Sequence, residues 1–184
     1  ALIAARRFDT AVEHLEAAYR QSGDPRTAYL VAYSFYRMGR VKDALPFVTK
    51  MRGDESVGFA RADLLRGRIL FDNKRYAEAA NAFAEASMIN PSSREPQWHR
   101  AKALIALADE SEGDTTGFYR TALQILSSYE PTGQEEEEWR FLLGRVYLAL
   151  QHPMQALMHL EQTRRLGGKE RVLLLGIALF LQGS

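Results

Sequence analysis

Arg61 to Pro91 reads RADLLRGRILFDNKRYAEAANAFAEASMINP, and this stretch decides the fold. Gly67 stands where two helices approach closely, and Leu70 lies one helical turn further on. Tyr76 opens a second helix whose Ala79, Phe83 and Ala86 stripe one face, and Pro91 ends the unit. The spacing predicts a helix–turn–helix hairpin. The same order returns upstream as Ala32, Phe35, Gly39, Val41, Ala44 and Val48. Downstream it returns as Gly144, Tyr147, Pro153, Ala156 and Leu160, from a first helix entered through Trp139. Ala44 and Ala79 are 35 residues apart and Ala79 and Ala156 are 77 apart, which is two repeats plus a small insertion. The insertion falls in the least regular unit, Ser92 to Tyr129, where Trp98, Ala101 and Leu104 fit a first helix and Tyr119 with Ala122 a second. Between them Asp109 to Asp114 is expected to form a longer acidic loop.

This pattern resembles the tetratricopeptide repeat, a hairpin of about 34 residues with small, aromatic and Pro residues in this order. The resemblance implies an all-α fold, a right-handed α-solenoid of antiparallel helix hairpins, as one array over residues 1–184. About four full repeats are expected, near 25–55, 56–91, 92–131 and 134–168, with partial repeats at 1–22 and 169–184. Phe8, Ala11, Leu15 and Ala18 match a second helix alone, and Gly176 with Leu179 a first helix alone. The chain therefore reads as a fragment of a longer protein.

In this family the first helices line a concave groove that holds a peptide or helix of a partner. The resemblance thus implies a non-catalytic protein-interaction scaffold or adaptor. Setting aside packing positions on the first helices leaves Tyr29, Tyr33, Tyr36 and Arg37, then Arg61, Leu64, Arg68 and Phe71. Phe141 and Arg145, with Leu148, form a thinner later set. Tyr29 and Tyr33 share a face, as do Leu64 and Arg68. Aromatic and Arg side chains are enriched at binding hot spots, so an acidic or aromatic-bearing protein or peptide is the expected partner. The competing reading is that these tyrosines pack against adjoining first helices and the arginines pair with Asp63 or Asp72. Some family members clamp C-terminal carboxylates with Lys and Asn where this chain has Tyr29 and Tyr33, so that mode is not expected.

Local signals mark the boundaries. Asp24-Pro25 places a capping acceptor before a first-turn Pro, and Thr10 with Glu13 and Ser92 with Glu95 have capping-box spacing. Glu135 to Glu138 put negative charge at a helix N-terminus, and Gly167-Gly168 supplies a turn. Pro46 demands a helix starting near Asp43, or a kink. The last helix, with Leu173, Leu174, Ile177, Phe180 and Leu181, is apolar nearly all round and should be covered. Either the array continues or the end self-associates through residues 169–184.

Composition sets the limits. The 184 residues are 46% hydrophobic and 26% charged, enough for a buried core. The longest apolar run, Val172 to Leu181, is about half the roughly 20 residues of a membrane span, so no direct membrane insertion is expected. Without cysteine there is no disulfide, thiolate nucleophile or Cys-ligated zinc. His14, His99, His152 and His159 lack ligand spacing, and there is no phosphate loop or nucleophile elbow. Neither an enzyme, a metal nor a cofactor is expected. The net charge of +1 gives no general attraction to nucleic acid, although the first hundred residues are net basic and the rest net acidic. An RNA-reading helical repeat would need one recurrent polar place per first helix, which here varies from Tyr to Arg to Leu. The closer alternative is an architectural module that assembles or oligomerises through its convex face or its ends. Arg outnumbers Lys 19 to 5, which suggests a bacterial genome, with the compartment left open.

Overall fold

The computed structural model describes residues 7–51, 60–128, 131, 135–163 and 168–183. Its helices in chain order are α1 (Phe8–Ser22), α2 (Pro25–Arg37), α3 (Val41–Val48, continued by a 3-10 turn Thr49–Met51), α4 (Ala60–Asp72) and α5 (Tyr76–Ile89). Then follow α6 (Glu95–Glu110), α7 (Thr116–Ser127), α8 (Glu135–Ala149), α9 (Pro153–Leu160) and α10 (Gly168–Gly183). The described residues contain no strand, and the architecture is an all-α solenoid of helix hairpins. Two compact units divide the chain, Ala1–His99 and Arg100–Ser184, with the boundary inside α6.

Two hairpins, α4–α5 and α8–α9, close where a glycine removes the obstacle between the helices. A Cβ on Gly67 would lie 2.6 Å from Phe83 Cδ1, and a Cβ on Gly144 would lie 2.6 Å from Leu160 Cδ2. In both pairs the second residue follows the glycine by sixteen positions, so α5 and α9 drive the same knob into the same notch. Phe83 is 1% exposed and Leu160 is fully buried. Ala79, Ala86, Ala44 and Ala156 are fully buried as well, because their small side chains let the helices touch.

Three turns are also alike in detail. Gly39, Lys74 and Gln151 occupy one register position and all have positive φ, +74°, +61° and +62°. The next residue in each donates its N–H five residues back, Arg40 to Phe35, Arg75 to Leu70 and His152 to Tyr147, at 2.8–2.9 Å. This double closure of the helix C-terminus is a Schellman turn, which favours glycine at the left-handed residue. Lys74 and Gln151 carry a strain that Gly39 does not. Lys74→Gly and Gln151→Gly should each stabilise the chain by about 0.5–1 kcal/mol, read as a higher urea midpoint.

Several helix ends differ from the local signals. Asp24 does cap α2, accepting from the backbone N–H of Arg26 and Thr27 with Pro25 in the first turn, and the glutamates from Glu135 open α8. Thr10, however, lies inside α1, whose N-cap Arg7 makes no side-chain bond. Ser92 turns its hydroxyl to Asn90 Oδ1 at 2.7 Å, and α6 begins only at Glu95. Spacing identified the residue types but not which backbone N–H each would meet. Pro46 does not delay α3, which starts at Val41; the helix instead stops after eight residues and tightens into the 3-10 turn. The acidic loop is shorter than expected, because α6 runs on through Asp109 and Glu110. Gly168 opens α10 with φ +40°, while Gly167 lies outside the described residues.

Candidate protein-interaction surface

In the first unit, α1 and α2 bring an aromatic group together. Tyr29 and Tyr33, one turn apart on α2, stack with centroids 6.1 Å apart, and Phe8 meets Tyr33 edge-on at 6.1 Å. The Arg37 guanidinium lies 5.5 Å from the Phe8 ring centre and 5.7 Å from that of Tyr33, and donates to the Tyr33 hydroxyl at 2.9 Å. Phe8, Tyr29 and Tyr33 are half-buried and Arg37 is exposed, so the group is ordered yet reachable. Burial raises the Tyr29 pKa, neighbouring Tyr33 adds to this and Arg61 opposes it. Tyr36 is raised by burial and by Asp72, with Arg68 opposing. The tyrosines of α2 thus face the charged side chains of α4. Phe8 was legible in the sequence only as a second-helix residue, and its place over Tyr33 comes from the packing of α1 on α2.

Other expected residues go elsewhere. Phe71 pairs edge-on with Tyr76 across the α4–α5 turn at 5.2 Å, and Leu64 is half-buried. Phe141 is 8% exposed and joins a core with Leu148, Ala156, Leu157, Leu160 and Ala178. Arg145 is taken up by carboxylates, Asp109 at 2.5 Å and Glu170 at 3.4 Å. Asp109 also accepts from the Tyr119 hydroxyl at 2.6 Å. Burial and that hydrogen bond push the Tyr119 pKa up to about 12. The second unit therefore uses its expected groove residues as struts.

These struts follow a rule. Within the first unit Arg68 pairs with Glu95; within the second Lys102 pairs with Glu138 at 2.6 Å and Arg145 with Glu170. Each cation directly follows the small residue of its helix, Gly67, Ala101 or Gly144. Each acid lies six residues before the small residue of the next first helix, Ala101, Gly144 or Gly176. At the α2–α4 junction the same two places hold Tyr33 and Arg61. An aromatic and a cation thus stand where the other junctions pair a cation with an acid.

His99 and His159 serve packing. His99 stacks on Phe83 at 5.2 Å. His159, 8% exposed, stacks on Tyr147 at 5.6 Å and meets Trp139 edge-on at 5.7 Å. Burial, with Arg140 adding to it, holds the His159 pKa below its ordinary value. The unfolded chain therefore takes up this proton first as pH falls, so stability is lost below about pH 6.5 until the folded value is passed. His159→Phe should keep the ring stack and flatten this part of the stability–pH curve. Urea midpoints at about pH 7.5 and pH 5.5 measure it. Among the described residues no group of three His, Asp or Glu could hold a metal ion, and no helix is long and apolar enough to cross a membrane.

Recurrent glycine notches, alanine contacts and left-handed turns define the class of this protein: its fold is that of a tetratricopeptide-repeat array. Comparisons with known proteins agree. The family model "Anaphase-promoting complex, cyclosome, subunit 3" matches residues 4–86, less than half of the chain. DnaJ homolog subfamily C member 3 of Rattus norvegicus is 27% identical over 177 residues, covering 90% of this chain and 34% of that protein. The chain thus spans about a third of that relative's length. Among solved structures, YrrB, described as a TPR protein with an unusual peptide-binding site, aligns over 100% of this chain and 87% of its own. Its TM-score is 0.72 at 15% identity. The C-terminal part of a TPR repeat-containing protein from Cytophaga hutchinsonii covers 99% of this chain and 69% of its own, with TM-score 0.67 at 12% identity. MamA from Desulfovibrio magneticus RS-1 covers 88% and 86%, with TM-score 0.63 at 16% identity. At these identities the likeness is one of fold.

Proposed function

We propose that this chain is a non-catalytic scaffold that holds a peptide or helix of another protein on the first-helix surface of its first unit. Repeat arrays of this kind present extended surfaces for partners. The observation that carries the reading is the break in the ion-pair rule at the α2–α4 junction. The Arg68–Glu95, Lys102–Glu138 and Arg145–Glu170 rungs join first helix to first helix and satisfy each other's charge. Tyr33 and Arg61 cannot do so, and beside them lie the Tyr29 stack and Arg37. A partner segment with an aromatic or Pro side chain beside a carboxylate fits: the ring covers Tyr29 and Tyr33, and the carboxylate meets Arg37 or Arg61.

Affinity capture with mass spectrometry, comparing wild type with Tyr33→Ala/Arg61→Glu, tests this reading. At least a tenfold loss of a captured partner is expected, equivalent to about 1.4 kcal/mol or more. Undiminished capture by the double variant, with loss on substituting Arg145 instead, would reverse the assignment of units.

A further inference from the structure

The α2–α4 surface has a spacing of its own. Tyr29, Tyr33 and Tyr36 follow one another at four and three residues, so they form a single row along α2 that rises about 10.5 Å from first to last. Arg61 and Arg68 on α4, also seven residues apart, form a second row of the same length, with half-buried Leu64 between them. The rows run in step: the charge of Arg61 is felt at Tyr29 and that of Arg68 at Tyr36. α2 packs on α4 within the first unit, so the two rows bound one strip of surface.

The polar side chains of this strip are mainly donors. The Tyr33 hydroxyl accepts from Arg37 at 2.9 Å, which leaves its own hydrogen to donate outward. Arg37 and Arg61 are exposed guanidiniums, which donate and never accept. Glu95 is held by Arg68, and Asp72, the acid beside Tyr36, lies at one end of the row. An occupant therefore has to bring acceptors and few donors. A helix fails this test, because its backbone carbonyls are bonded within the helix. A β-strand fails it too, since each N–H that it turns to the strip needs an acceptor. A proline-rich segment passes: its prolines carry no N–H, and its polyproline II form leaves the carbonyls free of internal hydrogen bonds. The period fits as well. In that form residues three apart share a face and stand about 9.3 Å from each other, against the roughly 10.5 Å of each row.

We infer that the occupant is a polyproline II segment with an acid every third residue, its proline rings laid along the Tyr29, Tyr33 and Tyr36 row and its carboxylates turned toward the Arg61 row. The hydroxyls of Tyr33 and Tyr36 donate to its carbonyls. The inference rests on the reading that the first unit holds its partner on this surface, and it names the kind of segment held. Such a segment is stiff before it binds, so it loses little conformational freedom on docking against aromatic rings.

Fluorescence anisotropy of labelled peptides titrated with the full chain tests this, with Glu-Pro-Pro, Glu-Ala-Ala and Lys-Pro-Pro, each repeated three times, as the probes. The Ala peptide keeps the charge and restores the N–H groups, and the Lys peptide keeps the form and inverts the charge. Glu-Pro-Pro should bind at least tenfold more tightly than either. Tyr33→Phe with Tyr36→Phe removes two donors and keeps both rings, and should weaken Glu-Pro-Pro by about five- to tenfold. Arg61→Glu alters an exposed side chain and should reverse the preference over Lys-Pro-Pro. Both variants should keep wild-type helicity by circular dichroism. Equal binding of Glu-Pro-Pro and Glu-Ala-Ala overturns the inference, as does no binding of any peptide; if capture of a natural partner is still lost in Tyr33→Ala/Arg61→Glu, the surface reading stands without it. Glu-Pro-Pro binding that neither variant weakens puts the segment elsewhere and overturns the inference, and undiminished capture by Tyr33→Ala/Arg61→Glu would take the surface reading with it.

Discussion

Gly67→Ala should destabilise the first unit by about 2 kcal/mol, although the same change in an open helix stabilises by about 1 kcal/mol. The added methyl falls 2.6 Å from Phe83 Cδ1, and the ring, 1% exposed, is enclosed by the core. Overpacking of this kind costs roughly 1–3 kcal/mol, here at the upper end because a rigid ring cannot fold aside. Gly144→Ala meets the more adaptable Leu160 and should cost somewhat less. Gly176→Ala should instead raise the stability of the monomer by about 1 kcal/mol, since nothing lies within 4 Å. Three glycines in one register position thus give effects of opposite sign. The chain's two tryptophans, Trp98 and Trp139, lie in different units and report each unfolding separately once the other is replaced by Phe. Equal effects at all three glycines would mean that the register is wrong.

Phe83→Ala should cost about 3–5 kcal/mol, because the truncated knob leaves a cavity facing a glycine that cannot fill it. Leu160→Ala belongs to the same range at its lower end, about 2–4 kcal/mol. Leu15→Ala, at the equivalent place in α1, should cost less than about 1.5 kcal/mol, because the half-buried side chain already meets solvent. Urea midpoints of the three variants measure these costs. A Leu15→Ala cost as large as that of Phe83→Ala would show that Leu15 fills a notch as Phe83 does.

The fold was legible because its determinants are local and periodic. Gly67, Ala79, Phe83 and Ala86 have to recur at their spacing if two helices are to touch, and any one hairpin repeats the demand. The left-handed turns were half legible: Gly39 shows itself, but Lys74 and Gln151 adopt the same conformation against their own preference, under the pull of the hairpin they close. Cap assignments failed at Thr10 and Ser92, where a one-turn shift in the helix start moves the N–H groups away from the hydroxyl. The candidate surface was legible in its composition and not in its use. Tyr29, Tyr33 and Arg37 do come together, whereas Phe141 enters the core and Arg145 is bound by Asp109 and Glu170. The signal that would have found the rungs is a cation after each small residue and an acid six places before the next. It becomes visible once the register is known.

By itself the sequence determined the class of protein, because a period of small and aromatic residues admits one way of packing hairpins. It also marked α10 as apolar nearly all round and α1 as carrying the second-helix pattern. Only the tertiary structure decided which polar groups neutralise one another, since Arg68–Glu95 and Lys102–Glu138 join residues 27 and 36 positions apart that meet only after the helices dock. It decided as well which glycine notches are filled. A notch and its knob lie on different helices, and whether the knob arrives is a fact of packing that composition cannot express.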